Sequence, residues 1–167
     1  LAINENLDYA EVENDDETLI LAKNIAEKLF SKEKIKKIFS GKDLVGQKYE
    51  PLYDNSQFLK QKNDKNFQVF PADFVTAKEG TGIVHIAPAF GEDAMNLQNK
   101  FGFSIPITVD EQGKVISEIA KGKFVKTADP IIKQDLTDRG LLFKEENIAH
   151  DYPFCWRCDT PLIYYAK

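Results

Sequence analysis

The apolar positions fall first into two β-favouring runs, LDYAEVEN and ETLILAKN, on either side of the acidic pair Asp15-Asp16. Two such runs across a turn signal predict a hairpin, so the chain opens as sheet. From residue 22 to 30 the spacing becomes helical, with Ile25, Ala26, Leu29 and Phe30 on one face, and Ser31-Lys32-Glu33 begins a strongly basic continuation through Lys37. That continuation reads as a solvated helix face lying on the sheet. A strip facing RNA is the weaker reading, because Glu27 and Glu33 interrupt it. Residues 40–53 (SGKDLVGQKYEPLY) predict a loop-rich crossing and the polar residues 54–66 a surface excursion. FQVFPADFVTA (67–77) and GIVHI (82–86) read as two strands joined by the turn Lys78-Glu79-Gly80-Thr81, after which Pro88 brings no donor and ends the pairing. Residues 93–101 predict a short helix, and IPITVDEQGKVI predicts a hairpin turning at Glu111-Gln112-Gly113. Asp129-Pro130 reads as the cap and first position of a helix that runs to Arg139 and stops at Gly140. Short strands with helices between and around them predict a mainly β or α+β, barrel-like domain rather than a doubly wound parallel sheet.

With 167 residues and 43% apolar content, the chain is long enough for one compact domain. The net charge of −5, with lysines spread along the chain, gives no electrostatic footprint for duplex nucleic acid. A domain that receives only the end of a strand needs few phosphate contacts and stays compatible with that charge. No apolar run approaches a membrane span, and LAINENLDYAEVEN has neither the basic end nor the apolar core of a signal peptide. These features point to a soluble, cytoplasmic chain without a membrane partner. A start at Leu1 without methionine and an end just after an apolar run lead us to expect a piece of a longer protein.

The least ordinary stretch is GTGIVHIAPAFGEDAM, from Gly80 to Met95. Gly80 and Gly82 allow a tight turn and close backbone approach, and Thr81 offers a hydroxyl. His85 ends an otherwise apolar strand, so its ring points into the core or stands at the mouth of a pocket. Taken alone, a structural histidine is the stronger reading. The loop Ala87-Pro88-Ala89-Phe90-Gly91 leading into Glu92 and Asp93 shifts the balance, since it would expose backbone donors and acids beside the ring. No nucleophile elbow or metal-ligand spacing surrounds His85, so a pocket that orients a substrate fits better than a covalent catalyst, and no catalytic side chain is assigned. Cys155-Trp156-Arg157-Cys158 has the gap that lets two thiolates reach one tetrahedral zinc, but it is half a site; only His150 is near. A disulfide does not suit an intracellular chain, and a thioredoxin-type motif lacks its βαβ surroundings.

GTGIVHIAPAFGED, with PADFV (71–75), KDLVGQKYEPL (42–52) and HDYPFCWRCDTPLIYYA (150–166), resembles the editing insertion of the isoleucyl-tRNA synthetase family, in the family's order and over nearly the whole chain. Valyl- and leucyl-tRNA synthetases have related insertions, but His85 and the Cys-Trp-Arg-Cys sequence resemble the isoleucyl type. The resemblance implies a β-barrel core with peripheral helices over residues 1–150, and a cysteine-pair segment returning toward the catalytic domain over 151–167. It implies hydrolysis of valine mistakenly attached to the isoleucine tRNA. Its partners would be the 3′ end of that tRNA and the rest of the synthetase, with ATP used by the parent's catalytic domain only. By the same resemblance His85 lines the pocket that accepts valine and refuses isoleucine, over a floor of Gly80, Thr81 and Gly82. Zinc would be held by Cys155 and Cys158 only together with a second cysteine pair earlier in the family's insertion, so none is expected here.

Two departures qualify this. The family's threonine-rich peptide comes before the segment matching Leu1. The family also places an aspartate nine residues after the histidine, where it holds the substrate's α-ammonium; Ala94 stands there and Asp93 is one residue early, a turn of about 100° on a helix. Impaired editing is therefore expected of this chain, and a non-catalytic module that docks the tRNA acceptor end is the alternative.

Overall fold

The computed structural model describes residues 1–59, 64–104, 106–147 and 153–165. The chain opens with β1 (Ala2–Ile3), followed by the hairpin β2 (Asp8–Asn14) and β3 (Glu17–Ala22). The hairpin turns at Asp15, whose positive φ of 52° is the left-handed conformation that aspartate tolerates better than most residues. Helix α1 (Lys23–Leu29) buries Ile25 and Ala26 against the sheet. Both features are as the apolar pattern predicts.

The basic continuation is not helical. Phe30 is extended, a short turn covers Lys32–Lys34, and β4 (Ile35–Ser40) pairs antiparallel with β2, giving a three-stranded sheet of order β3-β2-β4. The register shifts at Glu11/Val12, where Val12 faces Ile35 and Glu11 faces Lys37, so Lys36 is the extra residue of a bulge. The bulge places two lysines in succession on the outside and breaks the alternation that would have marked a strand. Lys36 and Lys37 then pair with Glu13 and Glu11 of β2, so two lysines of the strip expected to face solvent or RNA are matched by acids.

β5 (Phe70–Pro71) and β6 (Ile83–Val84) do not pair with each other as the turn signal suggests. β1 lies between them, parallel to β5 and antiparallel to β6. Alternation along β1 sends its two fully buried side chains to opposite faces. Ile3 joins a core with Tyr9, Val12, Leu21, Ile25 and Val69, while Ala2 joins a second core with Phe70, Val75, Leu97 and Phe103. Two residues thus form the partition of the domain. Loop bridges at Lys48↔Gln68 and Leu59↔Pro106 tie the crossing and the excursion to the rest.

Helix α2 (Glu92–Phe101) closes on Gly102, which takes a left-handed φ of 74° and donates to the Gln98 carbonyl at 2.7 Å. The expected second hairpin is present as the Val109↔Val115 bridge around Gly113. Helix α3 (Val125–Asp138) begins four residues before the expected cap, so Asp129 is not its cap and Pro130 lies inside it. The Phe124 carbonyl, which accepts from the backbone of Thr127 and Ala128, starts the helix instead. Pro130 is the sixth residue of the helix, past its first turn, so the bond that an N–H there would make to the Lys126 carbonyl is forgone. Among the described residues no helix is long and apolar enough to cross a membrane.

Candidate functional site

Strand β6 hands the chain to His85 immediately after its pairing with β1, at Val84↔Ala2. Ala87 to Phe90 then turn sharply, with Phe90 N donating to the Ala87 carbonyl at 2.9 Å and Pro88 and Ala89 buried beneath. Gly91 leads into α2, whose first turn carries Glu92 and Asp93 at the end where the helix dipole favours negative charge. Strand end, turn and helix start together enclose a hollow of about 320 Å³. Phe74, Val84, His85 and Phe90 form its apolar and imidazole wall. Glu92, Asp93 and Ala94 bring the first turn of α2 to the same space.

His85, Asp93 and Ala94 are therefore brought together, as expected from the sequence. The ring is exposed at the mouth of the hollow, not sealed in hydrocarbon. The protein nonetheless strips water from part of the ring, and this partial desolvation, with secondly the charge of the Leu1 ammonium, pushes its pKa below the ordinary histidine value. A neutral imidazole presents one donor and one acceptor nitrogen, able to orient a hydroxyl or a water. The two carboxylates offer a counter-charge to a cation. No serine, threonine or cysteine stands among the residues lining this hollow, which suits attack by water better than by a side chain.

Gly80, Thr81 and Gly82 do not line the hollow. Their expected place in its floor gives way to a structural one, because the turn is tied back to the N-terminal sheet through Thr81 and Gly82. The Thr81 carbonyl accepts from Ala22 N at 2.8 Å, and the Thr81 hydroxyl is engaged with Ile83. The Gly82 carbonyl accepts from the buried Tyr9 hydroxyl at 2.8 Å. Gly82 has φ of 74°, and a Cβ there would stand 2.5 Å from Ala22 Cβ. Thr81 and Gly82 thus hold β6, and hence His85, in place. Sequence reasoning placed Glu92 among the acids beside the ring but missed Phe74 and Phe90 as walls. Phe74 and Phe90 lie in the motifs PADFV and APAF, but their convergence is a matter of tertiary placement that no spacing encodes.

The cysteine pair sits on a hairpin of its own, Phe154↔Pro161, in which Cys155 N donates to the Thr160 carbonyl at 2.9 Å and Asp159 N to the Cys155 carbonyl at 2.9 Å. Cys158 Sγ lies 3.1 Å from the Thr160 hydroxyl, whose hydrogen bond chiefly lowers the thiol pKa. Two thiols on one tight turn fit half of a tetrahedral zinc site. Among the described residues no three His, Cys, Asp or Glu side chains converge on a metal position, and His150 lies outside the described residues.

The comparisons with known proteins bear on this geometry. No family model matches the chain. It is 47% identical over 170 residues to the isoleucine–tRNA ligase of Clostridium novyi and 43% identical over 166 residues to that of Thermus thermophilus, covering 100% and 99% of this chain. By sequence it matches one segment of isoleucine–tRNA ligases. The chain spans 16% of the length of the first of these ligases and 15% of the second, so it corresponds to a segment of them. The solved GlLeuRS-CP1 structure superimposes with a TM-score of 0.63 over 87% of this chain and 77% of that one, at 14% identity. At that identity the likeness speaks to the fold alone, which among the described residues has small sheets and three α-helices.

Proposed function

We propose that the His85 hollow is the editing pocket of this isoleucyl-tRNA synthetase segment, which in the parent enzyme hydrolyses valine from mischarged isoleucine tRNA. The observation that carries the reading is the convergence of His85, Asp93 and Ala94 on one hollow of about 320 Å³, in a segment similar throughout to isoleucine–tRNA ligases. A second pocket is needed because one methylene is worth roughly 1–3 kcal/mol in an apolar site, a bound for which this synthetase is itself the standard illustration. A pocket small enough for valine excludes isoleucine by volume.

In this reading the 3′-terminal adenosine brings the ester to the mouth of the hollow. The isopropyl group enters between Phe74 and Phe90, Asp93 takes the α-ammonium, and the neutral His85 limits depth and orients the attacking water. Ala94 leaves one wall without the carboxylate the family places there, so the chain edits slowly. The cysteine hairpin completes a zinc site with a second pair from the parent chain; zinc there would be structural. Activation of isoleucine with ATP belongs to the parent's catalytic domain, and the setting is the cytoplasm.

The test is deacylation of preformed valyl- and isoleucyl-tRNA(Ile) by the complete ligase containing this segment. Valyl-tRNA hydrolysis lost on His85→Arg, which fills the mouth with a bulky cation, supports the pocket. Saturable binding without hydrolysis identifies a docking module instead and overturns the assignment.

A further inference from the structure

Phe90 walls two hollows. On one of them it faces His85; the other, of about 220 Å³, is lined by Val109, Val125, Lys126, Asp129 and Ile163 as well. The second hollow is framed by three distant pieces of chain: the hairpin around Gly113, the first turns of α3 and the segment that follows the cysteine hairpin. That frame is held deliberately. A Cβ on Gly113, at φ of 75°, would lie 2.6 Å from Ile163 Cδ1 and 2.7 Å from Phe124 Cε2, so the glycine lets the segment around Ile163 lie this close. The Tyr165 hydroxyl donates to the Val109 carbonyl at 3.2 Å, and its ring meets Phe90 edge-on with centroids 5.8 Å apart.

The second hollow combines apolar walls and one aromatic ring with a cation and a carboxylate, Lys126 and Asp129, three residues apart on the same helix face and both exposed. A ligand matching it has a flat face that packs on an aromatic ring, an amino group that donates to a carboxylate, and an anion for the ammonium. A nucleotide has all three: bases stack on aromatic side chains, the cytosine exocyclic amine donates to aspartate, and phosphates meet lysine. Because Phe90 is common to both hollows, a strand whose last residue enters the first is led past that ring into the second.

We propose that this second hollow receives the penultimate nucleotide of the tRNA 3′ strand, a cytidine, with Asp129 accepting from its amine and Lys126 meeting its phosphate. The inference rests on the editing reading above. Its consequence is register: holding the neighbouring nucleotide fixes how far the ester reaches toward His85.

The test compares two substrates of the complete ligase, valyl-tRNA(Ile) and valyl-adenosine, the second having no penultimate nucleotide. Asp129→Ala and Lys126→Ala are each expected to raise KM for valyl-tRNA about five- to tenfold. The effect is expected to be confined to that substrate. A tRNA carrying uridine in place of the penultimate cytidine should show a similar KM penalty with the unaltered protein and none further with Asp129→Ala. Equal effects on both substrates, no effect on either, or a uridine penalty that persists in Asp129→Ala overturns the second site while the pocket stands. Hydrolysis of neither substrate by the unaltered ligase removes the editing reading, and this inference falls with it.

Discussion

The Tyr9 hydroxyl donates to the Gly82 carbonyl at 2.8 Å, across 73 residues of sequence, and accepts from Asn4 N at 3.1 Å. Through this one phenol the N-terminal sheet grips the turn that delivers His85. Tyr9 is completely buried, so Tyr9→Phe leaves partners unsatisfied and is expected to cost about 1–3 kcal/mol. Denaturant unfolding measures it; an unchanged midpoint would show that the grip carries no stability.

Gly82→Ala acts on the same contact from the other side. The substitution meets both a left-handed φ and the Ala22 methyl at 2.5 Å, so strain and overpacking of about 1–3 kcal/mol each are expected. Gly80→Ala, where nothing lies within 4 Å of the added carbon, carries only the strain, with φ of 67°. Thermal melts of the two variants should rank them in that order, and the reverse order would contradict the placement of the turn.

His85 sets the pH response. Its folded pKa lies below the value in the unfolded chain, so between the two the unfolded chain binds the proton more readily. The histidine's contribution to stability is therefore present above the ordinary value of about 6.5 and is lost as pH falls through the lower folded value. Deacylation kcat/KM is expected to show an acid limb centred below about 6.5 that disappears in His85→Ala. The same variant deepens the hollow, and hydrolysis of isoleucyl-tRNA(Ile) should rise relative to valyl-tRNA. An acid limb retained in the variant would assign it to another group.

Positions 93 and 94 both line the hollow, so a carboxylate added at the second is in place to act. Ala94→Asp is expected to raise valyl-tRNA deacylation about tenfold, the scale of one hydrogen bond to a charged group, and Asp93→Asn to lower it by a similar factor. Equal rates before and after Ala94→Asp would remove the ammonium-binding role from that position.

The sequence alone determined the features that depend on neighbours in the chain. The β2–β3 hairpin turns at its acidic pair, α1 and α2 follow the apolar spacing, and the Cys155-Trp156-Arg157-Cys158 turn brings its two thiols within hydrogen-bonding reach of each other. Motif content marked His85, with Asp93 and Ala94, before any fold was known. Tertiary structure decided what local signals leave degenerate. Residues 35–40 carry apolar side chains at a spacing that serves helix or bulged strand, and the unpaired edge of β2 chose strand, since its backbone groups had to be satisfied. The same demand inserted the two residues of β1 between β5 and β6, separating strands that the intervening turn would have paired. The hollow itself belongs to this second class, because Phe74, His85 and Phe90 enclose space only once β6 is fixed by Tyr9 and Ala22, and a contact across 73 residues leaves no periodic trace along the chain.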